Sequence, residues 1–143
     1  MSDIKRVYID GIFDLFHIGH LESFKKTKKI YKNVFLIVGV ISDDKASSYK
    51  RKPIINESDR YDIIQNIKCV DEVIFDPPLI IDKNFIEKNN IDMVVHGFFD
   101  DNDKEKQKHF FKVPIKLHKF HEIEYYKKES TSNIINRILT IHR

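Results

Sequence analysis

The chain predicts an α/β fold, a doubly wound parallel sheet, on three observations. Strand-like and helix-like apolar patterns alternate along the sequence, and that alternation produces parallel strands joined by crossover helices. Two of the strand-like runs, Val34 to Val40 and Met93 to His96, are almost continuously apolar, as strands covered on both faces must be. At 143 residues and 41% hydrophobic content, one domain spanning residues 1–143 can bury a core without metals or disulfides.

The first strand is expected over 5–10, where Val7, Tyr8 and Ile9 favour extended backbone, and it breaks at Gly11. A helix follows over 18–30. Its run Lys25-Lys26-Thr27-Lys28-Lys29 reads as a solvated face and a C-terminal end where cations suit the dipole. A strand over 33–40 comes next, then a helix over 58–67 with N-cap candidates in Asn56-Glu57-Ser58-Asp59. A strand over 71–75, a helix over 83–89 capped by Asp82, and a strand over 92–96 continue the order. The polar run from Asp100 to Lys106 reads as a loop entering a short helix, the segment expected to move most. A last strand lies within 115–125. Ser130-Thr131-Ser132-Asn133 then caps a helix through Ile134, Ile135, Ile138 and Leu139.

Composition excludes several functions. Net charge is +3, with lysines scattered among acidic residues, so no basic stripe points to nucleic acid. The single cysteine, Cys69, rules out an internal disulfide and reads as a core thiol in a reducing compartment. No apolar run approaches the roughly 18 residues of a membrane span, and Met1-Ser2-Asp3-Ile4-Lys5 lacks signal-peptide order. A cytoplasmic protein without stable membrane insertion is the expectation.

In a doubly wound sheet, ligands bind beyond the carboxyl ends of the strands, where strand order reverses. His17, His20, Ser42, Asp43 and His96 all follow strand ends and are expected to converge on one cleft. His17 and His20 are three residues apart and share one helix face, beside free backbone amides and the positive end of the dipole. Gly11 lets the backbone approach a phosphate, and the amides of Ile12 and Phe13 are candidate donors. This outlines a nucleotide-phosphate site.

The residues in that outline resemble the cytidylyltransferase family, specifically the choline-phosphate and ethanolamine-phosphate enzymes. The likeness runs through Asp10-Gly-Ile-Phe-Asp-Leu-Phe-His-Ile-Gly-His20, Leu36-Ile-Val-Gly-Val-Ile-Ser-Asp43, Asn56-Glu-Ser-Asp-Arg-Tyr-Asp62 and Val70-Asp-Glu-Val73. It continues in Asn84-Phe-Ile-Glu-Lys-Asn-Asn-Ile-Asp92 and Ser130-Thr-Ser-Asn-Ile-Ile135. The resemblance implies a Rossmann-like nucleotidyltransferase fold that transfers CMP from CTP to a phosphoalcohol, making a CDP-alcohol and pyrophosphate. His17, His20 and Lys50 are then the catalytic group, supplying positioned donors and cations. Gly11, Ile12, Phe13, His96 and Gly97 would bind CTP. Ser130 and Thr131 would hold its outer phosphates, although N-capping explains the same two residues. The phosphoalcohol would meet Asp10, Lys50, Leu79 and Asp101, with aromatic surface from Phe98 and Phe99. Mg²⁺ is expected, carried mainly by the CTP phosphates with no protein ligand named, and a homodimer is implied. No long basic amphipathic arm follows the last helix, so lipid regulation is not expected.

One segment departs from the family. Its Arg-Thr-Glu-Gly-Ile-Ser-Thr signature is here Tyr125-Tyr126-Lys127-Lys128-Glu129-Ser130-Thr131, which removes the arginine and the glycine and leaves Lys127 or Lys128 as substitutes. Phosphocholine and phosphoethanolamine stay open as substrates, with glycerol 3-phosphate behind them. A degenerate nucleotide-binding regulatory domain and an adenylyltransferase are the competing readings.

Overall fold

The structure is a computed structural model and describes residues 3–141; Met1 and Ser2, part of the amino-terminal reading above, lie outside them. Its centre is a five-stranded sheet, all pairings parallel, in the order β3-β2-β1-β4-β5. The strands are β1 (Lys5–Gly11), β2 (Val34–Val40), β3 (Glu72–Phe75), β4 (Met93–His96) and β5 (Phe120–Glu122). The two continuously apolar runs, β2 and β4, are interior strands as expected, and β1 lies between them.

The helices are α1 (Ile18–Lys28), α2 (Asp43–Ser47), α3 (Glu57–Gln65), α4 (Lys83–Lys88), α5 (Asp101–Gln107), α6 (Lys112–Lys116) and α7 (Thr131–Ile141), with a 3-10 turn over Lys108–Phe111. The expected caps form. Asn56 Oδ1 accepts from Asp59 N at 2.9 Å, Asp82 Oδ1 from Phe85 N at 2.8 Å, and Ser130 Oγ from Asn133 N at 3.0 Å. Helix α1 stops two residues short of the expected end. Helix α2 was not foreseen: it is five residues long and buries only Ala46, so it has no apolar period to read. The polar run after His96 enters a short helix as expected, and does so at once, because Asp100 Oδ1 accepts from Asp103 N at 2.8 Å and starts α5.

Side chains alternate across the sheet and divide the core in two. On one face Val7, Ile9, Leu36, Val38, Val40 and Val95 pack with Phe24 of α1 and Ile64 of α3. On the other, Tyr8, Ile37 and Val94 pack with Phe85 and Ile86 of α4 and with Phe110 and Phe111. Both faces are thus covered, which defines the doubly wound arrangement. Cys69 packs half-buried against the first cluster, and burial pushes its thiol pKa up. Strand order reverses between β1 and β4, so the ends of these two strands, with Asp10 next to His96, lie side by side at the rim where a ligand is expected. Among the described residues no helix is long and apolar enough to cross a membrane.

Candidate active site

A cleft of about 790 Å³ opens at that rim. Its first wall is the turn from β1 into α1. His17 is the N-cap of α1: its Nδ1 accepts from Gly19 N at 3.0 Å, while His20 Nδ1 accepts from His17 N at 3.2 Å. The two rings stack with centroids 3.9 Å apart. Each Nδ1 is occupied by a backbone N–H, so each neutral ring carries its proton on Nε2. Burial lowers both pKa values, that of His20 to about 3. The pair is therefore a set of neutral N–H donors, and Lys50 is the cation of the group.

Two glycines make room for this turn. A Cβ on Gly19 would sit 2.7 Å from His17 Cε1, and one on Gly11 would sit 2.8 Å from the Phe13 ring. Gly11 thus makes room for the Phe13 ring while lining the cleft. Phe13 and Leu15 have φ of 56° and 48°, left-handed values that cost a non-glycine residue about 1–2 kcal/mol. Packing holds Phe13 there, with its ring edge-on to both His20 and Phe24.

The floor carries the charge. Asp10 is buried, and burial pushes its pKa up to about 7 while Lys50 draws it down. Its Oδ1 lies 3.7 Å from His96 Nδ1. Burial lowers His96 to about 4, so the imidazole is neutral at pH 7, and it packs on the Phe98 and Phe111 rings. Lys50 reaches into the same space. Desolvation holds its ammonium below the usual lysine range, and its field acts on Asp10, His20 and His96. Tyr49, Phe99, Phe110 and Phe111 add aromatic wall.

The opposite wall is the start of α7. Thr131 Oγ1 donates to the Asp14 carbonyl at 3.0 Å, and Ser130 Oγ caps the helix, so both hydroxyls serve structure first. Glu129 Oε1 takes Ser130 N and Ser130 Oγ takes Asn133 N, so the amides of Thr131 and Ser132 are the ones that remain for an anion. Glu129, beside them, is bound by Arg137 at 2.7 Å, which holds its carboxyl below the usual range.

Two buried residues brace these walls, Arg60 from behind and Asp14 from within the lining. Arg60, fully buried, donates to the carbonyls of Ile12, Ile41 and Ile55 and to Asp43 Oδ1 at 2.7 Å. Asp14 accepts from Ile54 N at 2.8 Å and Ile55 N at 2.9 Å, holding the loop that carries Lys50.

The cleft brings together His17, His20, Lys50, Asp10, Gly11, Ile12, Phe13, Leu79, His96, Gly97, Ser130 and Thr131. Three expectations are corrected. Asp101 opens α5 on its exposed side and does not line the cleft; Asp103, one half-turn on, does. Ser42 and Asp43 are not wall residues, since Ser42 caps α2 and Asp43 pairs with Arg60. Phe98 is core, leaving Phe99 as the exposed ring. Of the two substitute lysines, Lys127 lines the cleft and Lys128 does not. Sequence reasoning missed Asp14, Tyr49, Arg51 and Asp103 on the walls, and Arg60 behind them.

Comparisons with known proteins agree with this geometry. The family model described as Cytidylyltransferase-like matches residues 8–137. Choline-phosphate cytidylyltransferase 2 of Arabidopsis thaliana is 38% identical over 135 residues, covering 94% of this chain and 44% of that protein. Ethanolamine-phosphate cytidylyltransferase of the same plant is 33% identical, covering 98% and 34%. The chain thus spans less than half the length of these curated relatives. Among solved structures, the lipopolysaccharide core biosynthesis protein from Thermoplasma volcanium GSS1 matches with a TM-score of 0.66 and 28% identity, over 86% of this chain and 98% of that one. With a family match across residues 8–137 and a cleft at the reversal of its parallel sheet, the chain belongs to the cytidylyltransferase-like family.

Proposed function

We propose that the chain transfers the cytidylyl group of CTP to phosphocholine or phosphoethanolamine and releases pyrophosphate. The observation that carries this reading is the meeting in one cleft of Lys50, which forms no ion pair among the described residues, with two imidazoles fixed as Nε2–H donors.

The chemistry follows from these groups. A phosphomonoester has a second pKa of about 6 and is largely dianionic at neutral pH, so its oxygen attacks the α-phosphorus without a general base. As that bond forms, the bond from the α-phosphorus to the pyrophosphate oxygen breaks. Negative charge grows on the α-phosphoryl oxygens and the leaving group. Lys50 holds the two anions together, and the imidazole N–H groups donate to the growing charge from preset positions. The α7 amides and Lys127 receive the outer phosphates. Mg²⁺, held through the CTP phosphates and water, would neutralise part of the triphosphate charge.

Asp10 supports a substrate that carries an ammonium. A buried carboxylate near pH 7 is returned to its ionised form by a cation in contact with it, and the neighbouring aromatic faces suit the same charge. An uncharged glycerol headgroup offers neither gain.

Pyrophosphate release should be measured with CTP and phosphocholine, phosphoethanolamine or glycerol 3-phosphate in turn. Release is expected with the first two, and His20→Ala should lower turnover about 10²- to 10⁴-fold. A second reading, a degenerate domain that binds nucleotide without turnover, is favoured by Tyr125 standing where the signature has arginine. CTP binding with no release from any substrate would select it. Faster release from ATP than from CTP would assign adenylyl transfer.

A further inference from the structure

We propose that Arg51 grips the outer phosphates of the bound nucleotide, supplying the guanidinium missing from the 125–131 segment; this rests on the triphosphate reading above. Among the described residues Arg6 pairs with Glu72, Arg60 with Asp43 and Arg137 with Glu129. Arg51 alone of the described arginines has no carboxylate partner. Its side-chain hydrogen bond runs from Nη1 to Ser132 Oγ at 3.2 Å, in the first turn of α7. A guanidinium has five N–H donors, so most of this one stays uncommitted, on a residue that lines the cleft.

The placement is electrostatically unfavourable by itself. A cation beside a helix N-terminus opposes the dipole, whereas an anion lodged between the two is attracted by both. The position is also fixed. Asp14 accepts from Ile54 N and Ile55 N with its carboxylate and from Thr131 Oγ1 with its carbonyl, tying the Arg51 loop to the start of α7. Arg137 occupies Glu129, the carboxylate on that wall that would otherwise repel phosphate. Tyr125 itself packs edge-on against Phe99, with centroids 5.5 Å apart, and offers no charge. Lys127 offers charge without the planar fork that engages two phosphate oxygens.

Calorimetric titration of CTP and of CMP into the wild-type chain, Arg51→Ala and Arg51→Lys, without phosphoalcohol, tests this. Arg51→Ala should weaken CTP about 10- to 100-fold, the range for losing charge-assisted hydrogen bonds. CMP, which lacks the outer phosphates, should bind all three proteins within about 2-fold, a contrast that loss of local structure would not produce. Arg51→Lys should recover part of the CTP affinity. Unchanged CTP binding by Arg51→Ala, or equal losses for CTP and CMP, overturns the assignment to Arg51. Failure of the wild-type chain to bind CTP overturns the triphosphate reading and this proposal with it, a result distinct from the other two.

Discussion

Replacing Gly19 by alanine should separate activity from stability. The new methyl carbon would lie 2.7 Å from His17 Cε1 and 3.0 Å from its Nδ1, so the ring must retreat by roughly 1 Å to reach ordinary contact. That movement breaks the 3.0 Å bond from Gly19 N and the 3.9 Å stacking on His20. The lost bond costs about 1 kcal/mol, but alanine gains about as much over glycine inside a helix. Net stability should therefore change by less than about 1 kcal/mol. Turnover should fall about 10²-fold, the cost of a 1 Å misplacement of a reacting group. Urea denaturation and pyrophosphate release, run on the same preparation, report the two quantities. Full turnover in Gly19→Ala would refute the idea that the capped ring geometry sets the chemistry.

Three further predictions concern stability. His20 and His96 have folded pKa values of about 3 and 4 against an ordinary 6.5, so their contribution is complete above pH 6.5 and lost as pH falls through those values. For His96 the full change is on the order of 3 kcal/mol; denaturant midpoints between pH 4 and 8 should show His96→Gln less acid-sensitive by that order, and an unchanged acid limb would count against it. Asp10 runs the other way: its pKa is raised from 3.8 to about 7, so stability is lost as pH rises across that window, and Asp10→Asn should gain relative to wild type there. Asp43→Ala leaves the buried Arg60 guanidinium without its carboxylate and should cost about 3 kcal/mol in urea unfolding. A loss under about 1 kcal/mol would mean that the three carbonyls alone satisfy Arg60.

Sequence reading succeeded where a repeating apolar pattern or a cap carried the information. Val34 to Val40 announced a strand covered on both sides, and Asn56, Asp82 and Ser130 marked helix starts by side-chain oxygens that do bond the third amide on. It failed where order comes from long-range contacts. Helix α2 has one buried residue, and the helical 101–116 stretch is organised by Phe110 and Phe111 entering a core built from distant strands. The same limit governs the cleft. Residues following β1 and β4 were legible because topology alone brings those ends together, but choosing Asp103 over Asp101 required knowing how α5 is rotated. The charge state of the histidine pair was also beyond sequence, since it depends on which ring nitrogen meets the backbone.

That last detail restricts which side chains positions 17 and 20 tolerate. Each must accept a hydrogen bond from a main-chain N–H with one atom while donating an N–H elsewhere with another. Lysine and arginine, though richer in charge, have nothing with which to receive the amide, so a more basic variant of this turn would unravel the start of α1 in the act of strengthening its pull on phosphate.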